Sequence, residues 1–177
     1  MVYLKQIKIA CIGYILISIV FYITGFLCIL NPAVIYTYSR ILAEIILIAY
    51  GIIKIIGYFS KDLYCLAFQY DFACGVFLII LGIMTLSIRN EKELYMLAGL
   101  GVLILLDSLL GAQTSLDARR FGMADWKWIF FFSILSAISG TVTLIGKTMY
   151  FAGCGLLAEG AMRHYIVHCT VKTDSDL

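Results

Sequence analysis

Between Lys8 and Arg40 the chain runs 31 residues without a charge, from Ile9 to Ser39. Two more such runs follow, 17 residues from Phe72 to Ile88 and 19 from Trp128 to Gly146. A hydrocarbon core of about 30 Å needs about 20 apolar helical residues, so each run reads as a membrane span. Strands are excluded because the runs are too long and do not alternate. The composition agrees: 63% of the 177 residues are hydrophobic and 14% are charged, against about a quarter charged in a soluble domain. A soluble domain of this size could not hide that much apolar surface. The net charge of +2 gives no field for a polyanion, which excludes nucleic acid as a partner.

Between these runs lie segments that are apolar but each carry an acid. The segment 41–58 contains Glu44 and Lys54, 94–110 contains Asp107, and 148–169 contains Glu159 and Arg163. A central Asp costs about 2.5–3.5 kcal/mol on insertion, and each Leu, Ile or Val returns about 0.3–0.6. Ten such residues between Leu94 and Leu110 offset Asp107. The last segment is poorer in them and needs the rest of a bundle. The reading is an all-α membrane protein of six transmembrane helices, at about 9–30, 41–59, 66–88, 94–114, 128–146 and 148–169. Asn31-Pro32 makes the first turn.

With the N-terminus on one side, that side collects nine of the 13 Lys and Arg and the other side four. Positive-inside places both termini in the cytoplasm. The first apolar run is too long for a signal peptide, so it reads as a retained helix. Six cysteines, at 11, 28, 65, 74, 154 and 169, have no C-x-x-C spacing and read as small apolar residues.

A period near 57 residues runs through the chain. Gly25, Gly82 and Gly140 are spaced 57 and 58 apart, each preceded seven residues earlier by Ser18, Gly75 or Ser133. Twenty-five residues after the first two glycines come Tyr50-Gly51 and Asp107-Ser108, and a shorter turn brings Glu159-Gly160 to the same place. Four residues on stand Lys54, Gly111 and Arg163. The chain therefore reads as one membrane domain of three tandem two-helix hairpins, at about 9–62, 63–125 and 126–170, with a polar tail at 171–177. Small residues seven apart would let helix backbones approach closely in lipid.

This plan resembles the HdeD-type acid-resistance membrane proteins of bacteria. The most specific stretch runs from Asp107 through LDARRFGMADW (116–126) to I-S-G-T-V-T-L in the fifth helix. The third hairpin departs most, with its short turn and with Glu159, Arg163, His164 and His168 in the last helix. The resemblance implies a six-helix protein of the bacterial inner membrane, in some members tied to acid or envelope stress, without enzymatic chemistry.

Ionisable groups within spans are costly, which makes Lys54, Asp71, Asp107, Glu159 and Arg163 the candidate site. Glu159 and Arg163, four apart on one helix, are expected to neutralise each other, and Lys54 to reach Asp107 across hairpins. They read as register-fixing ion pairs or as a proton- or ion-responsive cluster. Glu44, four residues after Arg40, reads as an interfacial anchor. His164 and His168 form a candidate pH-sensing pair. Asp117, Arg119, Arg120 and Trp126 form a candidate loop contact. No H-E-x-x-H, G-x-S-x-G or P-loop is present, so no enzyme, metal or cofactor is expected. The expected partners are the bilayer and, within it, a second copy or another membrane protein. The functions left open are a non-enzymatic stress-tolerance protein, a small proton or solute carrier using the buried carboxylates and, last, a membrane enzyme or partner-binding scaffold acting through residues 116–126.

Overall fold

The structure, a computed structural model, describes residues 2–59, 71–87, 92–123, 125–146 and 148–170, with side chains described at 11–32, 44–59, 71–87, 97–123, 125–146 and 148–168. Among the described residues there are six helices: α1 (Val2–Leu30), α2 (Pro32–Phe59), α3 (Asp71–Ser87), α4 (Lys92–Arg120), α5 (Trp126–Gly146) and α6 (Met149–Thr170). Among the described residues three stretches are long and apolar enough to cross a membrane: Cys11–Leu30, Leu97–Arg120 and Trp126–Gly146. Six spans were expected. α3 is apolar but only 17 residues long, and α6 carries Glu159, Arg163, His164 and His168.

Three helix ends differ by more than five residues from the sequence reading, α1 beginning at Val2 rather than near residue 9. α2 starts at Pro32, directly after Asn31, rather than near residue 41. Proline suits a first helical position, where its missing N–H and fixed φ cost nothing. α4 continues to Arg120, so Asp117, Arg119 and Arg120 lie on a helix and not in a loop. The helix ends in a Schellman motif. Met123 N–H donates to Ala118 C=O at 3.1 Å and Gly122 N–H to Arg119 C=O at 3.0 Å. Gly122 has φ +73°, which glycine adopts without a Cβ clash. Arg119 and Arg120 in the last turn suit the negative end of the helix dipole.

Polarity is inverted relative to a soluble protein. Leu16, Phe26, Ile80, Ile83, Phe131 and Ile138 face outward, while Lys54, Asp71, Asp107, Ser136, Glu159 and Arg163 are buried. That arrangement suits a hydrocarbon surrounding and defines a membrane protein. Buried hydroxyls bond back to their own helix: Ser18 Oγ to Tyr14 C=O at 2.9 Å, Ser133 Oγ to Ile129 C=O at 2.7 Å, and Thr143 Oγ1 to Ser139 C=O at 2.8 Å. Such bonds need no water.

The closest helix packings join α2 to α3, α4 to α5, and α6 back to α1. Glycines permit the first and last. A Cβ on Gly51 would lie 2.7 Å from the carbonyl oxygen of Gly75, and the reverse holds equally. Gly25 and Gly153 stand in the same relation at 2.8 Å. Between α4 and α5, Gly101 and Gly140 are slightly further apart, at 3.3–3.4 Å. The first and last helices therefore touch along their length, and the polar face of α6 is carried into the middle of the bundle.

Candidate functional site

Tyr50 and Lys54 lie one turn apart on α2, and Glu159 and Arg163 one turn apart on α6. Asp71 is the first described residue of α3. Asp107 sits within α4. These side chains meet in one buried network. Lys54 Nζ donates to Asp71 Oδ1 at 2.8 Å and stands 3.1 Å from Asp107 Oδ1. Arg163 Nη2 lies 2.7 Å from Asp107 Oδ2, an ion contact without hydrogen-bond alignment. Tyr14 donates its hydroxyl to Asp71, and Tyr50 donates to Asp107. Ser136 Oγ on α5 donates to Glu159 Oε1 at 2.6 Å. All six helices thus contribute. Lys54 and Glu159 have no exposed surface, and Arg163 has 4%.

The tyrosine rings complete the cation environment. Lys54 Nζ lies 5.0 Å from the centre of the Tyr50 ring, and Arg163 Cζ lies 5.7 Å from both Tyr14 and Tyr50. Ring faces attract cations, most strongly where water is excluded. Tyr50 is further fixed by an edge contact with Phe21 at 5.2 Å.

The expected cluster residues Lys54, Asp71, Asp107, Glu159 and Arg163 are all brought together. Their pairing differs in one respect. Arg163 contacts Asp107 across the bundle, and Glu159 is held by Ser136. The physical reason is that Asp107 also contacts Lys54, so one carboxylate faces two cations. Among the described residues, Glu159 Oε2 and Arg163 Nε have no hydrogen-bond partner.

Other candidates lie elsewhere. Glu44 is buried against the bundle; its backbone carbonyl lies against Gly82, and the Arg40 side chain is outside the described residues. His164 and His168 are exposed on α6, away from the network. Arg120 pairs with Asp117 at 3.4 Å with its side chain 81% exposed. Arg119 lies over the Trp126 ring at 4.9 Å, and Ser115 Oγ donates to Trp126 C=O at 2.9 Å, which ties the α4–α5 turn together. Cys28, Cys74 and Cys154 are free thiols, while the side chains of Cys65 and Cys169 lie outside the described residues.

Tyr14, Tyr50 and Ser136 were not singled out as site residues. A signal for the tyrosines exists: Tyr14 to Asp71 and Tyr50 to Asp107 are each 57 residues apart, the spacing of Gly25 and Gly82.

Fold and site together define a helical membrane protein with a central buried ion network. A family model described as a short repeat of unknown function (DUF308) matches residues 16–87, and the HdeD-type proteins belong to that family. The match runs from α1 to the end of α3. No curated protein and no solved structure matches the chain.

Proposed function

We propose that the chain is a non-enzymatic, multi-pass protein of the bacterial inner membrane, of the HdeD type. Its buried ion network is the working part, and it contributes to acid or envelope-stress tolerance. The observation that carries this reading is the convergence of five ionisable side chains from α2, α3, α4 and α6 on one water-excluded centre. Intramembrane charges are too costly to be incidental. The stress role itself comes from the resemblance and from the matching repeat family.

Three tandem hairpins are part of the reading. Its support is that close approaches recur at repeat-related positions: Gly25 against Gly153, Gly82 against the carbonyl of Glu44, and Gly140 against Gly101. Six spans and cytoplasmic termini follow from the charge-free runs and the nine-to-four split of Lys and Arg.

The test is acid challenge of a strain lacking the protein. The reading expects lost survival, restored by the natural protein and not by a folded Asp107→Asn variant. Unchanged survival of the deletion strain across growth phases overturns the stress role.

A second reading, a proton or solute carrier, is favoured by one observation. Among the described residues, Glu159 Oε2 and Arg163 Nε lack hydrogen-bond partners inside the buried network. Carriers keep such groups near the bilayer midplane. Flux in proteoliposomes under a pH gradient, above that of empty vesicles and reduced by Asp107→Asn, supports it. No flux from folded protein removes it.

A further inference from the structure

Charge counting within the network leaves one negative charge over. Lys54 and Arg163 supply two cations, and Asp71, Asp107 and Glu159 supply three carboxyl groups. The two aspartates are the satisfied ones. Asp71 meets Lys54 and receives the Tyr14 hydroxyl; Asp107 meets Lys54 and Arg163 and receives the Tyr50 hydroxyl. Glu159 differs. Among the described residues no ion pair reaches it, only Oε1 accepts a hydrogen bond, and Oε2 is buried without a partner. An ionised carboxylate with one hydroxyl donor and no cation is among the most costly groups a protein interior can hold.

We propose that Glu159 is a proton-binding site, its carboxyl group carrying the one proton that brings the network to neutrality. The inference deepens the reading of the network as the working part of the protein.

The groups facing Glu159 come from every helix around it. Arg163 lies one turn along α6, and Asp107 on α4 and Lys54 and Tyr50 on α2 are near enough to act on it electrostatically. On α1, Tyr14 lies beside Arg163, and Tyr22 packs on Gly160 next to Glu159 in the chain. From α5, Ser136 donates its hydroxyl to Glu159 Oε1. Loss of the proton leaves an anion one turn from a guanidinium whose Nε is unpartnered and whose contact with Asp107 lacks hydrogen-bond alignment. Arg163 is then the one network cation on the same helix as the new charge. Proton loss at Glu159 therefore sets Arg163 between two acids, which couples α6 to α4.

The test is infrared spectroscopy of the intact protein in lipid at neutral pH, with Glu159→Gln as the variant. Glutamine is neutral and nearly the same shape as a protonated glutamate, so the variant is expected to keep the thermal stability of the natural protein. The difference spectrum is expected to contain a protonated-carboxyl C=O band present only in the natural protein. Uniform carboxyl labelling of glutamate with carbon-13 in the unmutated protein should shift that band, and labelling of aspartate should not. A band that moves with aspartate labelling, or a difference spectrum with ionised-carboxylate bands alone, overturns the assignment. Failure of the functional reading looks different: acid survival or flux indifferent to Asp107→Asn, with the Glu159 band still present.

Discussion

Asp107→Asn removes one charge and almost no volume, so its effect reads the network directly. Asp107 stands between Lys54 at 3.1 Å and Arg163 at 2.7 Å, and accepts the Tyr50 hydroxyl. Lys54 keeps Asp71 at 2.8 Å after the change. Arg163 keeps no carboxylate contact and is 4% exposed. The asparagine oxygen still serves Tyr50. The cost is therefore at most that of one buried, unpaired guanidinium, about 3–5 kcal/mol, less what ionisation of Glu159, one turn away on α6, returns. Hydrogen bonds between membrane helices average only about 0.6 kcal/mol in double-mutant cycles, so a value that small would mean the charge hardly matters. The assay is reversible unfolding in mixed micelles, run as a cycle with Arg163→Gln. Removal of both partners also removes the orphaned charge, so the double variant should cost less than the sum of the singles by more than about 1 kcal/mol. Additivity within about 0.5 kcal/mol would refute the reasoning.

Three further outcomes follow from the packing. Gly51→Ile should destabilise by about 1–3 kcal/mol or more in the same titration, because its Cβ would lie 2.7 Å from the Gly75 carbonyl oxygen, and backbone cannot yield as a side chain can. Gly153→Leu should likewise destabilise the protein in that titration, because a Cβ at 153 would lie 2.8 Å from the Gly25 carbonyl oxygen and 2.9 Å from Cys28 Cβ. Arg120→Ala should change stability by less than about 0.5 kcal/mol, because its pair with Asp117 is solvent-screened.

Much of the architecture was readable because charge is so expensive in lipid. Charge-free runs located α1, α3 and α5, and the acids between them marked α2, α4 and α6. The repeat register put Lys54 at the position of Arg163, which pointed it toward Asp107, and the two stand 3.1 Å apart. Other features were hidden for identifiable reasons. Glu159 and Arg163 are adjacent on one helix face, so helical spacing paired them with each other. Only the three-dimensional position of Asp107 redirects Arg163. Asp117, Arg119 and Arg120 look like a loop in sequence because three charges stand together, yet the helix persists until Gly122 can adopt positive φ. The contact of α6 with α1 joins residues more than 120 apart, and nothing local in Gly25 or Gly153 announces its partner. Tyr14, Tyr50 and Ser136 carry hydroxyls that are common in apolar helices, so their role emerges only when the acids arrive.

The most direct test of the central claim is a nitrogen-to-carbon distance measurement by solid-state nuclear magnetic resonance. The protein would be in lipid, with lysine side-chain nitrogen and aspartate carboxyl carbon labelled. The structure predicts the Lys54 ammonium coupled to two carboxyl carbons, with nitrogen 2.8 Å from an Asp71 oxygen and 3.1 Å from an Asp107 oxygen. Asp71→Asn should remove one coupling and leave the other. A Lys54 nitrogen with no close aspartate carboxyl would contradict the network and the functional reading built on it.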